Sequence, residues 1–315
     1  MNLVNENMEI NNPLVTVVVT CFNRCHTIKR AIESILQQTY SNIELIVVDD
    51  ASTDNSVNLI TENFPNISLL RNSYNCGQNA SLSLGFKNSS GSIFAYLDSD
   101  DWWDKRTLAV LVEYLVADPE LGFVFCDVFN GKRTSILPMH KYECKEKIAY
   151  KAALQNMGLG RSGTFLIKRT IMDPDRLFDD TGLKNYTQDN RLGLELSKSG
   201  AFMRIPEALL FTEVSHDAIT RQFYRTALSL RELLEDYQVD LIDLCTPREI
   251  LKINNEVCLK LLLSSHLKES FREIRKVMFF SKKSHNLLFQ IGATLDILAK
   301  YIRQRLGLIW RDFIH

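Results

Sequence analysis

No apolar stretch in this chain comes near the ~20 residues that a membrane-spanning helix needs, so we expect no bilayer crossing. The first twelve residues are polar and have no apolar centre, which gives no ground for a signal peptide. No Cys-x-x-Cys pair occurs. The seven cysteines are odd in number and several stand inside apolar runs, which argues for reduced thiols and against a zinc site or disulfide framework. The Walker lysine motif is missing, so that glycine-and-lysine cradle for a phosphate is not available. A continuous basic face interleaved with aromatic residues is missing too, which excludes nucleic acid as the partner. The chain has no internal repeat and no low-complexity segment.

What is present is an ordinary globular composition: 315 residues, 45% hydrophobic and 24% charged, enough for one large domain or two smaller ones. The net charge of −1 hides an asymmetry. Residues 246–315 hold 13 Lys/Arg against 6 Asp/Glu, leaving 24 against 32 in the remainder (37 − 13 and 38 − 6). An acidic front and a basic tail point to different partners for the two parts.

Apolar, β-branched runs at 15–20, 43–48, 67–70 and 93–97 read as buried strands. Between them, helical spacing predicts helices over 27–38, 56–62 and 79–87, the first with Ile28, Ala31, Ile32, Ile35 and Leu36 on one face. Strand and helix in alternation predict an α/β domain with a mostly parallel central sheet. Further on, 107–116 reads as a helix opened by Asp104 as N-cap. Residues 122–126 and 164–167 read as strands, 188–200 as a helix and 205–212 as a last strand. Residues 130–160 show no clear period. From about 222 the pattern becomes helical, over 228–234, 249–264, 270–280 and 287–310. We therefore divide the chain into 1–221 and a helical C-terminal region, 222–315.

Two of the strands end in acids: Asp49-Asp50 after the second, and Asp98-Ser99-Asp100-Asp101 after the fourth. In a parallel sheet the carboxyl ends lie along one edge, so these acids converge on one crevice. Carboxylates this close tolerate joint ionisation only around a cation or hydrogen-bond donors. Hard divalent ions such as Mg²⁺ and Mn²⁺ take such oxygen ligands and share them with substrate phosphates. On residues alone, the competing reading is a solvated turn leading into the next helix.

Residues 15–20 with Phe22-Asn23, then Val47-Val48-Asp49-Asp50-Ala51-Ser52-Thr53-Asp54, Asn75-Cys76-Gly77 and Leu97-Asp98-Ser99-Asp100-Asp101 follow one another in a fixed order, each after a strand. In this the sequence resembles the family 2 glycosyltransferases over roughly residues 13–220. The resemblance implies a GT-A fold, a nucleotide-diphospho-sugar donor (a UDP-sugar favoured) and inverting transfer supported by Mn²⁺ or Mg²⁺. It implies that Asp98-Ser99-Asp100 is the DXD element, with Asp98 at the ribose and Asp100 on the metal. Asp50 is similar to the aspartate that reads the nucleobase; Thr20, Phe22 and Asn23 match positions lining its pocket. The general base falls at Asp189 within Thr187-Gln188-Asp189-Asn190, where Gln188 replaces the usual Glu. His216 stands where similar enzymes supply a third metal ligand. The helix after Asn75-Cys76-Gly77 lacks the family's usual cation, which shifts charge compensation to the metal, Arg161 or Arg221. Of Trp102 and Trp103 we expect one to wall an acceptor site and the other to join the core. The acceptor is expected to be a glycan or a lipid-linked glycan.

Other readings of the same residues are a haloacid-dehalogenase-type phosphatase with Asp98 as nucleophile, and a nucleotide-sugar-binding protein without catalysis. The former's pattern asks for Thr or Val where Trp102 stands. In the tail, Leu288, Ile291, Leu295, Leu298, Ile302 and Leu306 form a helical stripe ending near Lys300, Arg303, Arg305 and Arg311. Such a helix packs on its neighbours or on a second subunit, or lies on an anionic membrane surface. The expected location is cytoplasmic, with a peripheral position at the inner membrane face as an option.

Overall fold

The computed structural model describes residues 12–129, 133–134, 141–142, 148–155, 159–173, 178, 188–212 and 223–245. Contacts divide the chain into two units. The first comprises residues 1–153, 158–181 and 188–215, and the second residues 154–157, 182–187 and 216–315.

The first unit is built on one sheet. Its strands are β1 (Val15–Cys21), β2 (Ile43–Asp49), β3 (Ser68–Arg71), β4 (Ile93–Asp98), β5 (Asp101–Trp103), β6 (Leu121–Phe129), β7 (Arg133–Thr134), β8 (Lys141–Tyr142), β9 (Phe165–Lys168) and β10 (Ala201–Thr212). The path across the sheet is β3-β2-β1-β4-β9-β6-β10-β5, with β7 on β6 and β8 on β10. β1 pairs in parallel with both β2 and β4, and β2 pairs in parallel with β3. β6 and β10 are also parallel, while β9 and β5 run against their neighbours. The expected α/β sheet, mostly parallel, is present.

The helices are α1 (Ile28–Leu36), α2 (Ser56–Asn63), α3 (Gln78–Lys87), α4 (Thr107–Ala117), α5 (Ile148–Gln155) and α6 (Gln188–Ser199), followed by α7 (Phe223–Asp236) and α8 (Gln238–Leu244). Burial follows the periods read from the sequence. Val15, Val17, Val18 and Val19 are fully buried because both sheet faces are covered. On α1 the stripe Ile28, Ala31, Ile32 and Ile35 is fully buried. Each isoleucine on it contributes roughly 1.5–3 kcal/mol by leaving water. Between β6 and β10, Arg204 donates from Nε to Asp127 Oδ1 at 2.8 Å and from Nη2 to Oδ2 at 2.6 Å, a bidentate pair sealed in the sheet.

The solvated turn of the competing reading is a strand, because Leu210, Phe211 and Thr212 pair antiparallel with Asp101-Trp102-Trp103. Two expectations need correction. Asp104 does not cap α4: Arg106 occupies the cap position, and Asp104 instead accepts the Arg106 backbone N–H at 2.9 Å within the preceding turn. The last strand begins at Ala201, ahead of the predicted 205, and register shifts around Ile205 and Ala208 absorb Pro206 without ending it. The helices expected over 249–264, 270–280 and 287–310, with the basic stripe, lie outside the described residues. No helix among the described residues is long and apolar enough to cross a membrane.

Candidate active site

β1, β2 and β4 are parallel neighbours, so their last residues share an edge: Cys21 pairs with Asp49, and Thr20 pairs with both Val48 and Asp98. The loops leaving these strands are fastened to one another. Asn23 adopts φ 52°, and its Oδ1 accepts the backbone N–H groups of Thr53 at 2.9 Å and Asp54 at 3.3 Å. Its own N–H donates to Ser52 Oγ at 2.9 Å. Ala51 is held at φ 61°, a left-handed conformation that costs a non-glycine residue roughly 1–2 kcal/mol. Phe22, expected at the base pocket, projects from this loop and is 41% exposed.

Asp50 is buried and collects three donors: Asn72 Nδ2 and the Cys76 N–H on Oδ1, and the Gly77 N–H on Oδ2, each at 2.8 Å. This carboxylate shapes the 72–77 loop. Gly77, at φ 89°, makes the turn that aims its N–H inward and opens α3. Asp49 is fully buried, accepts the Ser52 N–H and pairs with Arg71 Nε at 3.1 Å.

At the end of β4, oxygens of Asp98, Asp100 and Asp101 all lie within 4.8 Å of one another. Asp98 accepts from Gln78 Nε2 at 2.5 Å. Burial, with Asp189 and Asp100 nearby, pushes its carboxyl up to about 7. Burial and the charges of Asp98 and Asp100 push Asp101 up to about 8, while Arg161 works the other way. Strand alternation turns Tyr96 and Asp98 to the same face of β4. There the buried Tyr96 hydroxyl donates to Asp189 Oδ1 at 3.2 Å, and Ser162 Oγ donates to the same oxygen at 2.8 Å. Among the described residues no donor reaches Asp189 Oδ2. Ser162 belongs to a turn with positive φ at Gly160 and Gly163, where a Cβ on Gly163 would meet Leu210 and Leu97 at 3.0 Å. Three chain segments distant in sequence thus bring Asp98, Asp101, Ser162 and Asp189 to one place.

Ser99 is buried beside the acids. Trp103 is buried too, its Nε1 donating to Gly163 O at 2.6 Å. Trp102 is half-buried, stacked on Phe211 with ring centroids 5.7 Å apart and covered by the Arg30 guanidinium at 3.7 Å. It borders a recess of about 220 Å³ that Arg30, Glu33, Trp103 and Lys105 also line. Arg161 is exposed and near Asp101. Gln188 opens α6. His216 and Arg221 lie outside the described residues.

The sequence reading counted Asp101 in the acid cluster but gave it no role, and it missed Tyr96, Ser162, Gln78, Arg24 and Arg30 as the cluster's surroundings. Tyr96 was within reach, since two residues before Asp98 on a strand is the same face. Around Ser162 the glycines at 160 and 163 mark a turn, but nothing local names Asp189 as its partner.

A mostly parallel sheet that gathers acids at its strand ends is the frame expected of a glycosyltransferase of the GT-A class. A family model described as glycosyl transferase family 2 matches residues 16–174, and the chain belongs to that family. It is 33% identical over 162 residues to an Escherichia coli UDP-Glc:alpha-D-GlcNAc-diphosphoundecaprenol beta-1,3-glucosyltransferase, WfgD; the match covers 51% of this chain and 62% of that protein. It is 26% identical over 326 residues to an uncharacterized glycosyltransferase of Haemophilus influenzae, covering 93% and 98% of the two chains. Among solved structures, the mannosyltransferase PcManGT of Pyrobaculum calidifontis, in complex with GDP-Man and Mn²⁺, shares the fold with a TM-score of 0.56 at 18% identity, over 94% of this chain and 83% of that one. S. aureus TarS 1-349 gives 0.54 at 14% identity, over 87% and 92%.

Proposed function

We propose that this glycosyltransferase is metal-dependent and inverting, and moves a sugar from a UDP-sugar to a hydroxyl of a lipid-linked glycan. The observation that carries the proposal is the acid triad Asp98, Asp100 and Asp101 beside Asp189. Three carboxylates within 4.8 Å, two of them with raised pKa values, fit a divalent cation: neighbours that resist ionising together are relieved by a charge of +2. Asp100 and its two neighbours would hold Mn²⁺ or Mg²⁺, with His216 as a further ligand. Bound there, the ion supplies Lewis-acid stabilisation to the departing nucleoside diphosphate.

The chain's own residues do the rest. Asp189 takes the proton of the acceptor hydroxyl as that oxygen attacks the anomeric carbon in line. Tyr96 and Ser162 hold its Oδ1 and so fix the direction in which Oδ2 points. The Tyr96 hydroxyl, kept protonated by burial and by the charges of Asp189 and Asp98, stays a donor throughout. Asp50 builds the 72–77 wall, and Thr20, Phe22 and Asn23 flank the nucleobase. Trp102 offers a ring for packing acceptor sugar C–H groups.

The acceptor class takes support from the E. coli relative, named for GlcNAc-diphosphoundecaprenol, and the metal from PcManGT with Mn²⁺. Both transfers are proposals, because the match spans only 62% of that relative and the structural likeness speaks for the fold. The phosphatase reading falls with the family assignment. A peripheral place at the membrane's inner face follows from a lipid-linked acceptor.

The test incubates the protein with UDP-sugars and GlcNAc-diphospholipid, with Mn²⁺ or with chelator, and follows UDP and glycolipid. Glycolipid with the inverted anomeric configuration, formed only with metal, is the expected product. Full transfer in chelator, or retained configuration, contradicts the proposal. UDP binding without any product would leave the non-catalytic reading in its place.

A further inference from the structure

α3 begins Gln78-Asn79, so this side of the crevice offers the donor's diphosphate no cation. A cation paired with the Asp100 carboxylate comes instead from the loop after β1. Arg24 Nε lies 3.9 Å from Asp100 Oδ2, with the two side chains 41% and 33% exposed.

The backbone around Arg24 is fixed on both sides. Its own N–H donates to Ser56 Oγ at 2.9 Å, the Cys25 N–H donates to Asp54 Oδ2 at 3.1 Å, and Asn23 is pinned through Ser52, Thr53 and Asp54. The guanidinium, in contrast, is loosely held. Nη1 reaches the Phe22 and Asn23 carbonyls only at 3.4 and 3.3 Å, and an exposed ion pair of this length binds weakly. A rigid root with a loosely tied, permanently charged head, set beside a metal-ligating carboxylate, suits a group that changes partners. Arg30 has a different task. Its Nη2 donates to the Asp100 carbonyl at 3.2 Å and its guanidinium lies on Trp102, so it steadies the backbone of the acid cluster.

We propose that Arg24 neutralises Asp100 until a divalent ion binds, and then turns to the donor's diphosphate, supplying the cation that α3 lacks. Its planar fork suits two phosphate oxygens. This rests on the metal and nucleotide reading given above, and it adds a diphosphate-binding residue that the resemblance did not assign.

The two tasks have opposite signs in binding, which a merely structural arginine would not produce. Calorimetry on wild type, Arg24→Ala and Arg24→Lys would measure Mn²⁺ alone, then UDP at saturating Mn²⁺. Loss of the competing charge should tighten Mn²⁺ alone about 2- to 5-fold in Arg24→Ala, while UDP weakens about 10-fold or more; Arg24→Lys should fall between. Unchanged or weaker Mn²⁺ binding in Arg24→Ala overturns the first task, and unchanged UDP affinity the second. Wild type that binds neither Mn²⁺ nor UDP overturns the site reading itself, and this inference with it. Circular dichroism and Tm establish that the variants fold.

Discussion

Asp101 makes the crowding at the end of β4 measurable. The residue is 5% exposed, and its carboxyl moves from an ordinary 3.8 to about 8 through burial and the charges of Asp98 and Asp100. The folded state therefore keeps a proton that the unfolded chain releases near 3.8. Its contribution to stability is whole below that value and is lost as pH rises through about 8. Between pH 6 and 9 some two pH units of that loss remain, ~2.7 kcal/mol at 1.36 kcal/mol each. Water and counter-ions at the crevice mouth reduce this to roughly 1–2 kcal/mol, or about 3–6 °C in Tm for a domain of this size. Thermal unfolding of wild type and Asp101→Asn in chelator, at pH 6, 7, 8 and 9, isolates the effect, because other titrating groups act equally on both. Wild type should lose the extra 3–6 °C, and Mn²⁺ added at pH 8 should restore it. Parallel curves, or a loss that Mn²⁺ leaves untouched, would refute the reasoning.

Asp189→Asn should lower transfer by roughly 10²–10⁴-fold while UDP affinity measured with Mn²⁺ stays within about 2-fold, since only the proton acceptor is removed. Asp50→Ala strands three donors, two of them backbone N–H groups; urea unfolding should show a loss of about 2–4 kcal/mol, together with weaker UDP binding as the 72–77 wall loosens. Asp127→Ala leaves Arg204 buried without its bidentate partner and should cost about 3–5 kcal/mol; the double change Asp127→Leu, Arg204→Met should recover most of it, as chemical denaturation of the pair will read.

Much of the fold could be read from the sequence where a period and a burial pattern coincide. β1 and β4 are buried along nearly their whole length because both sheet faces are covered there, and the acid ends of β2 and β4 then share an edge by topology. β5 was hidden because three residues are too few for a period, and Asp101-Trp102-Trp103 becomes a strand only through Leu210–Thr212, far along the chain. β10 was cut short because Pro206 reads as a break, whereas the bulge around Ile205 and Ala208 carries the strand past it. In the site, Asp50, Asp98, Asp100 and Asp189 stood out as acids at strand or helix ends. What Asp50 does was less legible, since its donors come from Asn72, Cys76 and Gly77 through loop geometry. Ser162 reaches Asp189 because Gly160 and Gly163 take positive φ; the glycines mark a turn in the sequence, but not the distant carboxylate that the turn serves.

The account depends most on acids from the sheet edge gripping a diphosphate through a divalent ion. Anomalous diffraction at the manganese edge, from crystals grown with UDP and Mn²⁺, tests this directly. The account predicts one manganese peak within coordination distance of Asp100 and a diphosphate oxygen, with the uracil between Phe22 and the 72–77 loop. A nucleotide bound there without manganese, or manganese away from Asp98, Asp100 and Asp101, would contradict it.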